Sequence, residues 1–183
     1  MQYKDYKNSR DLTWKILLDA GIKALPVKVA PLCRSMGIGI YLYEPKDDNS
    51  GYSTVIAGRA IIYISRFDLP KRQRFTAAHE LGHILLGHVG HYELVNREPT
   101  ESDNPIEQAA NVFASRLLAP ACVLWGCGVH SAEDISKLCD ISDAAAAFRW
   151  DRMKLLYKRG MFLVSPLERK VYEAFQDYIA QNK

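Results

Sequence analysis

The chain has 183 residues, 48% of them hydrophobic and 25% charged, with a formal net charge of +3. That length and apolar content suit a globular protein with a real core, and so small a charge makes no electrostatic case for nucleic-acid binding. The opening residues, MQYKDYKNSRDLTWK, are polar where a secretory leader is apolar, and no later run reaches the length of a membrane span, so a cytoplasmic protein without a membrane partner is expected.

In chain order, residues 10–20 place Leu12, Ile16 and Leu17 on one face before Gly21, the pattern of a short amphipathic helix. A second helix is predicted over 27–36, between Pro26 and Gly37. Three runs rich in β-branched and aromatic residues follow, GIGIYLYEP, GYSTVIAG and RAIIYISR, punctuated at 46–51 and at Gly58-Arg59; they read as a small antiparallel meander. Next comes a helix with Asp68 as its cap and Pro70 in its first turn, then an aperiodic loop over 91–103, then a helix NPIEQAANVFASRLLAP closed by Pro120. A loop over 121–130 leads to helical stretches at 131–139, 142–158 and 166–181. Cys33, Cys122, Cys127 and Cys139 lack C-x-x-C spacing, which points to reduced structural thiols.

The helix at 75–88, FTAAHELGHILLGH, carries the H-E-x-x-H pattern at 79–83. Histidines four apart differ by about 40° around a helix, so His79 and His83 can reach one point. Neutral imidazole suits zinc, and a catalytic zinc wants three protein ligands with a position left for water. Glu80 lies about 100° from His79 and about 60° from His83, beside that water, where a general base belongs. Ala78, Leu81 and Leu85 cover the opposite side of the helix. His88 falls about 180° from His79 on a continued helix and reads as structural.

The extended pattern H-E-x-x-H-x-x-G-x-x-H is absent, because position 86 is Leu and position 89 is Val. The third ligand therefore comes from elsewhere. Glu107 opens a stripe of Glu107, Ala110, Asn111 and Ala114 on the next helix, whose alanines permit close approach to the first. Asn111 is placed to orient a metal-bound histidine through its other ring nitrogen. Asn104, Pro105 and Glu107 also satisfy a capping box, so Glu107 has a purely structural alternative. Glu93, Glu98, Glu101, Asp103 and His91 are rival ligands in the 91–103 loop.

The pair FTAAHELGHILLGH and EQAANVFASRLLAP, preceded by two helices and a small sheet, resembles the ImmA/IrrE family of zinc-dependent metallopeptidases over roughly residues 10–120. The resemblance implies His79, His83 and Glu107 as ligands of Zn2+ and Glu80 as the catalytic glutamate. It further implies a cytoplasmic endopeptidase acting on a helix-turn-helix repressor of a phage or mobile element, an anti-repressor role. The fold class expected is α+β: a mostly helical, zincin-like domain over 1–125 with a small antiparallel three-stranded sheet, and a helical C-terminal region over 126–183 packed on it.

Residues 133–153 have the rhythm of a helix-turn-helix, with Ala145 inward and Arg149 and Arg152 outward. One reading is a regulator that binds DNA or protein and keeps a metal without proteolysis. The basic count is modest, so direct DNA binding is not expected; Arg149 and Arg152, beside Phe148 and Trp150, are instead expected to dock the protein substrate.

Overall fold

Two helices, α1 (Tyr3–Asp19) and α2 (Val29–Ser35), lead into three strands, β1 (Gly39–Tyr43), β2 (Gly51–Ile56) and β3 (Arg59–Ser65), in the computed structural model, which describes residues 3–89 and 104–183. Helix α1 stops where expected: Gly21 has φ +62, and the Ile22 amide donates back to the Leu17 carbonyl at 2.9 Å. Helices α3 (Pro70–Leu85) and α4 (Pro105–Leu118) follow, then α5 (Ala121–Gly126), α6 (Ala132–Cys139), α7 (Asp143–Arg159), α8 (Pro166–Ala174) and α9 (Gln176–Gln181). The protein is α+β and mostly helical. It divides into two compact units, one made of Met1–Ser9 and Lys28–Ala114, the other of Arg10–Val27 and Ser115–Lys183.

The sheet is mixed, a correction to the antiparallel meander. Its order is β1-β3-β2, with β1 parallel to β3 and β2 antiparallel to β3. The sequence of β3, RAIIYIS, explains the central place, because it is apolar at successive positions and gains by being covered on both faces. Ile62 and Ile64, nearly fully buried, share a face with their cross-strand partners Ser53 and Gly51. Tyr63 points the other way, between Tyr41 and Tyr52, and stacks on the Tyr52 ring with centroids 5.0 Å apart.

Helix α3 lies on the Gly51 and Ser53 face. A Cβ at Gly51 would sit 2.5 Å from Thr76 Cγ2, so the helix approaches the sheet as closely as a hydrogen side chain allows. Pro70 begins α3 as expected, but its N-cap is Leu69 and no side chain caps it. Asp68 pairs instead with Arg72, Oδ1 to Nε at 3.3 Å, because it stands one residue too early to cap.

In the second unit the expected 121–130 loop contains α5, nearly all of it buried. Its residues are apolar at consecutive positions, and such a run has no helical period to read. The predicted 166–181 helix is divided into α8 and α9 at Phe175. Gly126 lets α5 meet this pair, since a Cβ there would lie 2.7 Å from the Tyr172 ring and 2.8 Å from Ile179 Cδ1. Ser131, Ser142 and Ser165 cap α6, α7 and α8 by accepting from the amides of Asp134, Ala145 and Glu168. Among the described residues one helical stretch, Pro105–Gly126, is long and apolar enough to cross a membrane, and it is mostly buried within the protein, as a core helix is. All four cysteines are free and buried, and burial pushes the thiol of Cys33 up to about 11 and that of Cys122 up to about 12.

The β2–β3 hairpin turns on two residues, Ala57 (φ 50) and Gly58 (φ 76), both left-handed. That is the I′ geometry, in which Asn-Gly is preferred and an alanine is strained. Ala57→Asn is therefore expected to stabilise the protein by about 0.5–1 kcal/mol. Thermal denaturation checks it: an unchanged or lower midpoint would show that the turn stores no such strain.

Candidate metal centre

Three donors from two helices converge. His79 and His83, one turn apart on α3, bring their Nε2 atoms to 2.9 Å from each other. Glu107, in the first turn of α4, sets Oε2 at 3.1 Å from His79 Nε2 and Oε1 at 3.4 Å from His83 Nε2. Ligand atoms placed tetrahedrally at zinc-like bond lengths stand about 3.3 Å apart, so these separations fit a metal held among them. Proton placement gives the same answer. The ring N–H at His79 Nδ1 donates to Asn111 Oδ1 at 2.9 Å, leaving a lone pair on Nε2 of the neutral ring. Facing a carboxylate, that lone pair leaves a place for a cation between them, whereas a proton on Nε2 would make the same contact a hydrogen bond. As such hydrogen bonds, the contacts from the two histidines hold the Glu107 carboxyl well below the usual carboxylate range.

Asn111 thus sits where an orienting residue was expected, one turn after Glu107 and on the same face. At the start of α4, Asn104 Oδ1 accepts from the Ile106 amide at 3.0 Å, while the two Glu107 oxygens lie near the histidines. The rival ligands His91, Glu93, Glu98, Glu101 and Asp103 lie outside the described residues.

His79, Glu80 and His83 also offer donor atoms that all lie within 4.8 Å of one another. Two carboxylates therefore compete for the third place. Glu107 meets both histidines at ligand spacing, whereas Glu80 Oε2 accepts a 2.6 Å hydrogen bond from Ser53 Oγ on β2. Glu107 thus stands nearest to both histidine Nε2 atoms, and Glu80, 2% exposed, is a carboxylate hydrogen-bonded from the sheet.

Ser53 was not singled out by the sequence. Its signal is a hydroxyl on the inward face of a strand, legible only once the pairing of β2 is known. His88 was read as structural on a helical angle that does not apply. Helix α3 ends at Leu85, Gly87 takes φ +76, and His88 folds back to bring its Nδ1 to 3.1 Å from His83 Nδ1.

The two arginines expected to dock substrate part company. Arg149 is 5% exposed and its Nε donates to the Ala119 carbonyl at 2.8 Å, so it braces the second unit internally and cannot face outward. Arg152 is half-buried. The inward position is Ala146, fully buried, and not Ala145; this one-residue rotation turns Arg149 in and Phe148 out, the latter 61% exposed.

Residues 33–151, about two thirds of the chain, match the Peptidase M78 family model, described as an IrrE N-terminal-like domain. The chain belongs to that metallopeptidase family. Among curated proteins, none matches it. The family match begins in α2, takes in the sheet and both helices of the centre, and runs on through α6 into α7.

The centre depends on the gap between α3 and α4 at Gly82, inside the H-E-x-x-H pattern. A Cβ there would lie 2.9 Å from Phe113 Cδ1, and Phe113 is fully buried on the helix that carries Glu107 and Asn111. Gly82→Ala is expected to cost about 1–3 kcal/mol by overpacking and to weaken metal binding, with part of both losses recovered by adding Phe113→Leu. Chemical denaturation and zinc titration of the two variants test this; additive effects would mean that the residues do not oppose each other.

Proposed function

We propose that this chain is a zinc-dependent endopeptidase in which His79, His83 and Glu107 hold the metal and Glu80 is the general base. The observation that carries the reading is the facing of two imidazole Nε2 atoms and a carboxylate at 2.9–3.4 Å, with Glu80 alongside. Zinc bound there supplies Lewis acidity toward the scissile carbonyl and makes water more acidic. Glu80 takes the proton of the attacking water and passes it to the leaving amine. Ser53 occupies one Glu80 oxygen and so keeps the carboxylate from swinging. Asn111, accepting from His79 Nδ1–H, keeps the Nε2 lone pair directed inward.

The substrate in this reading is a protein, a helix-turn-helix repressor of a phage or mobile element, met in the cytoplasm. β2 forms an edge of the sheet and carries Ser53, so an extended segment added to that edge would pass the Glu80 side of the centre. A DNA-binding regulator with an idle metal site is the alternative. It is weakened by Arg149, one of the two outward arginines it needs, being buried against Ala119.

Co-incubation of the purified protein with any helix-turn-helix repressor found encoded beside it tests the activity. Glu107→Ala is expected to lose most of its zinc, measured by metal analysis after dialysis. Full occupancy in that variant would place the third ligand elsewhere. Glu80→Gln is expected to keep zinc and abolish cleavage, because the amide retains the shape but cannot accept the proton. Continued proteolysis would remove Glu80 from the role, and tight binding of random duplex DNA, falling steeply with salt, would favour the regulator.

A further inference from the structure

We infer that His88 is a positioning residue for the metal centre, fixing the ring and the tautomer of His83; this rests on the metal-binding reading above. His83 is almost completely enclosed, with a side chain 1% exposed, so solvent cannot supply the hydrogen-bond partner its second ring nitrogen needs. The partner is His88 Nδ1, at 3.1 Å. If His83 presents a bare Nε2 to the metal, its single ring proton must sit on Nδ1. The bond between the two rings then has one direction: His83 Nδ1–H donates, and His88 accepts as the Nε2–H tautomer. The reverse direction would leave His83 with no proton on either nitrogen.

His79 follows the same rule with a different acceptor. Its Nδ1 finds Asn111 Oδ1 on α4, whereas His83 finds an acceptor from its own chain five residues on. The backbone is built to deliver that acceptor. Helix α3 stops at Leu85, Gly87 reverses the chain in the left-handed region, and the His88 amide donates to the carbonyl of His83 itself at 2.9 Å. Backbone and side chain of residue 88 are thus both tied to residue 83. The two rings stand edge to face, with centroids 5.1 Å apart.

The role predicts which atom matters. Asn places its side-chain oxygen where the histidine has Nδ1, so His88→Asn should preserve acceptance, while His88→Phe keeps a ring and loses the acceptor. Zinc affinity, measured by competition with a chromophoric chelator, is expected to fall about 10–100-fold in His88→Phe and to stay within a few-fold of wild type in His88→Asn. Melting of the metal-free proteins is expected to be alike, which separates positioning from folding. In zinc-loaded wild type and His88→Asn, nitrogen-15 spectra should show a hydrogen-bonded ring N–H on His83 that is lost in His88→Phe. Wild-type affinity in His88→Phe would overturn the proposal while leaving the metal site standing. Equal losses in both variants would overturn acceptance as the role. Failure of the wild-type protein to bind zinc would fell the metal-centre reading and this proposal with it.

Discussion

The constraint on which the centre depends is the distance between α3 and α4, set where Phe113 meets the bare backbone of Gly82. Neither histidine pair nor carboxylate is a site alone. Two imidazoles on one helix supply two donors by periodicity, but the third has to cross from another helix, and a carboxylate side chain reaches only a few ångströms. With Ala110 and Ala114 fully buried on either side of Phe113, the stripe that carries Glu107 and Asn111 is made of small residues wherever bulk would hold α4 away. The spacing E-x-x-A-N-x-F-A is in this light a packing pattern that happens to carry donors.

Helix α3 is fixed from two directions, and the two contacts serve different atoms. On the sheet side, Thr76 lies over Gly51 and Ser53 reaches Glu80. On the α4 side, Glu107 and Asn111 reach the histidines. Glu80 and the two histidines share one helix yet answer to separate neighbours, so a change in the strand can disturb Glu80 without touching the histidines. Both groups of contacts lie within a single compact unit, Met1–Ser9 with Lys28–Ala114.

Much of this was legible in residue order because it rests on periodicity. His79 and His83, the burial of Ala78 and Leu81 on α3, the break at Gly21 and the stripe from Glu107 to Ala114 are consequences of helical spacing. What was not legible lies where spacing stops governing. The central place of β3 depends on how three strands trade neighbours, which the alternation within each strand does not encode. Ser53 depends on that same pairing. The place of His88 next to His83 was missed because the helical angle was carried past Leu85, across a glycine that reverses the chain. Arg149 was misjudged by a rotation of one residue in an alanine-rich helix, where Ala145 and Ala146 are equally good inward positions on paper. Helix α5 was hidden by being apolar all round.

The burial of the cysteines has a bearing on chemistry far from packing. Metal capture and oxidation both proceed through the thiolate, and burial pushes the thiols of Cys33 and Cys122 up, which favours the neutral form. The donors gathered at α3 and α4 are nitrogen and oxygen, which peroxide leaves alone. A chain assembled in this way offers no exposed cysteine sulfur to an oxidant or to a soft ion such as Cu(I).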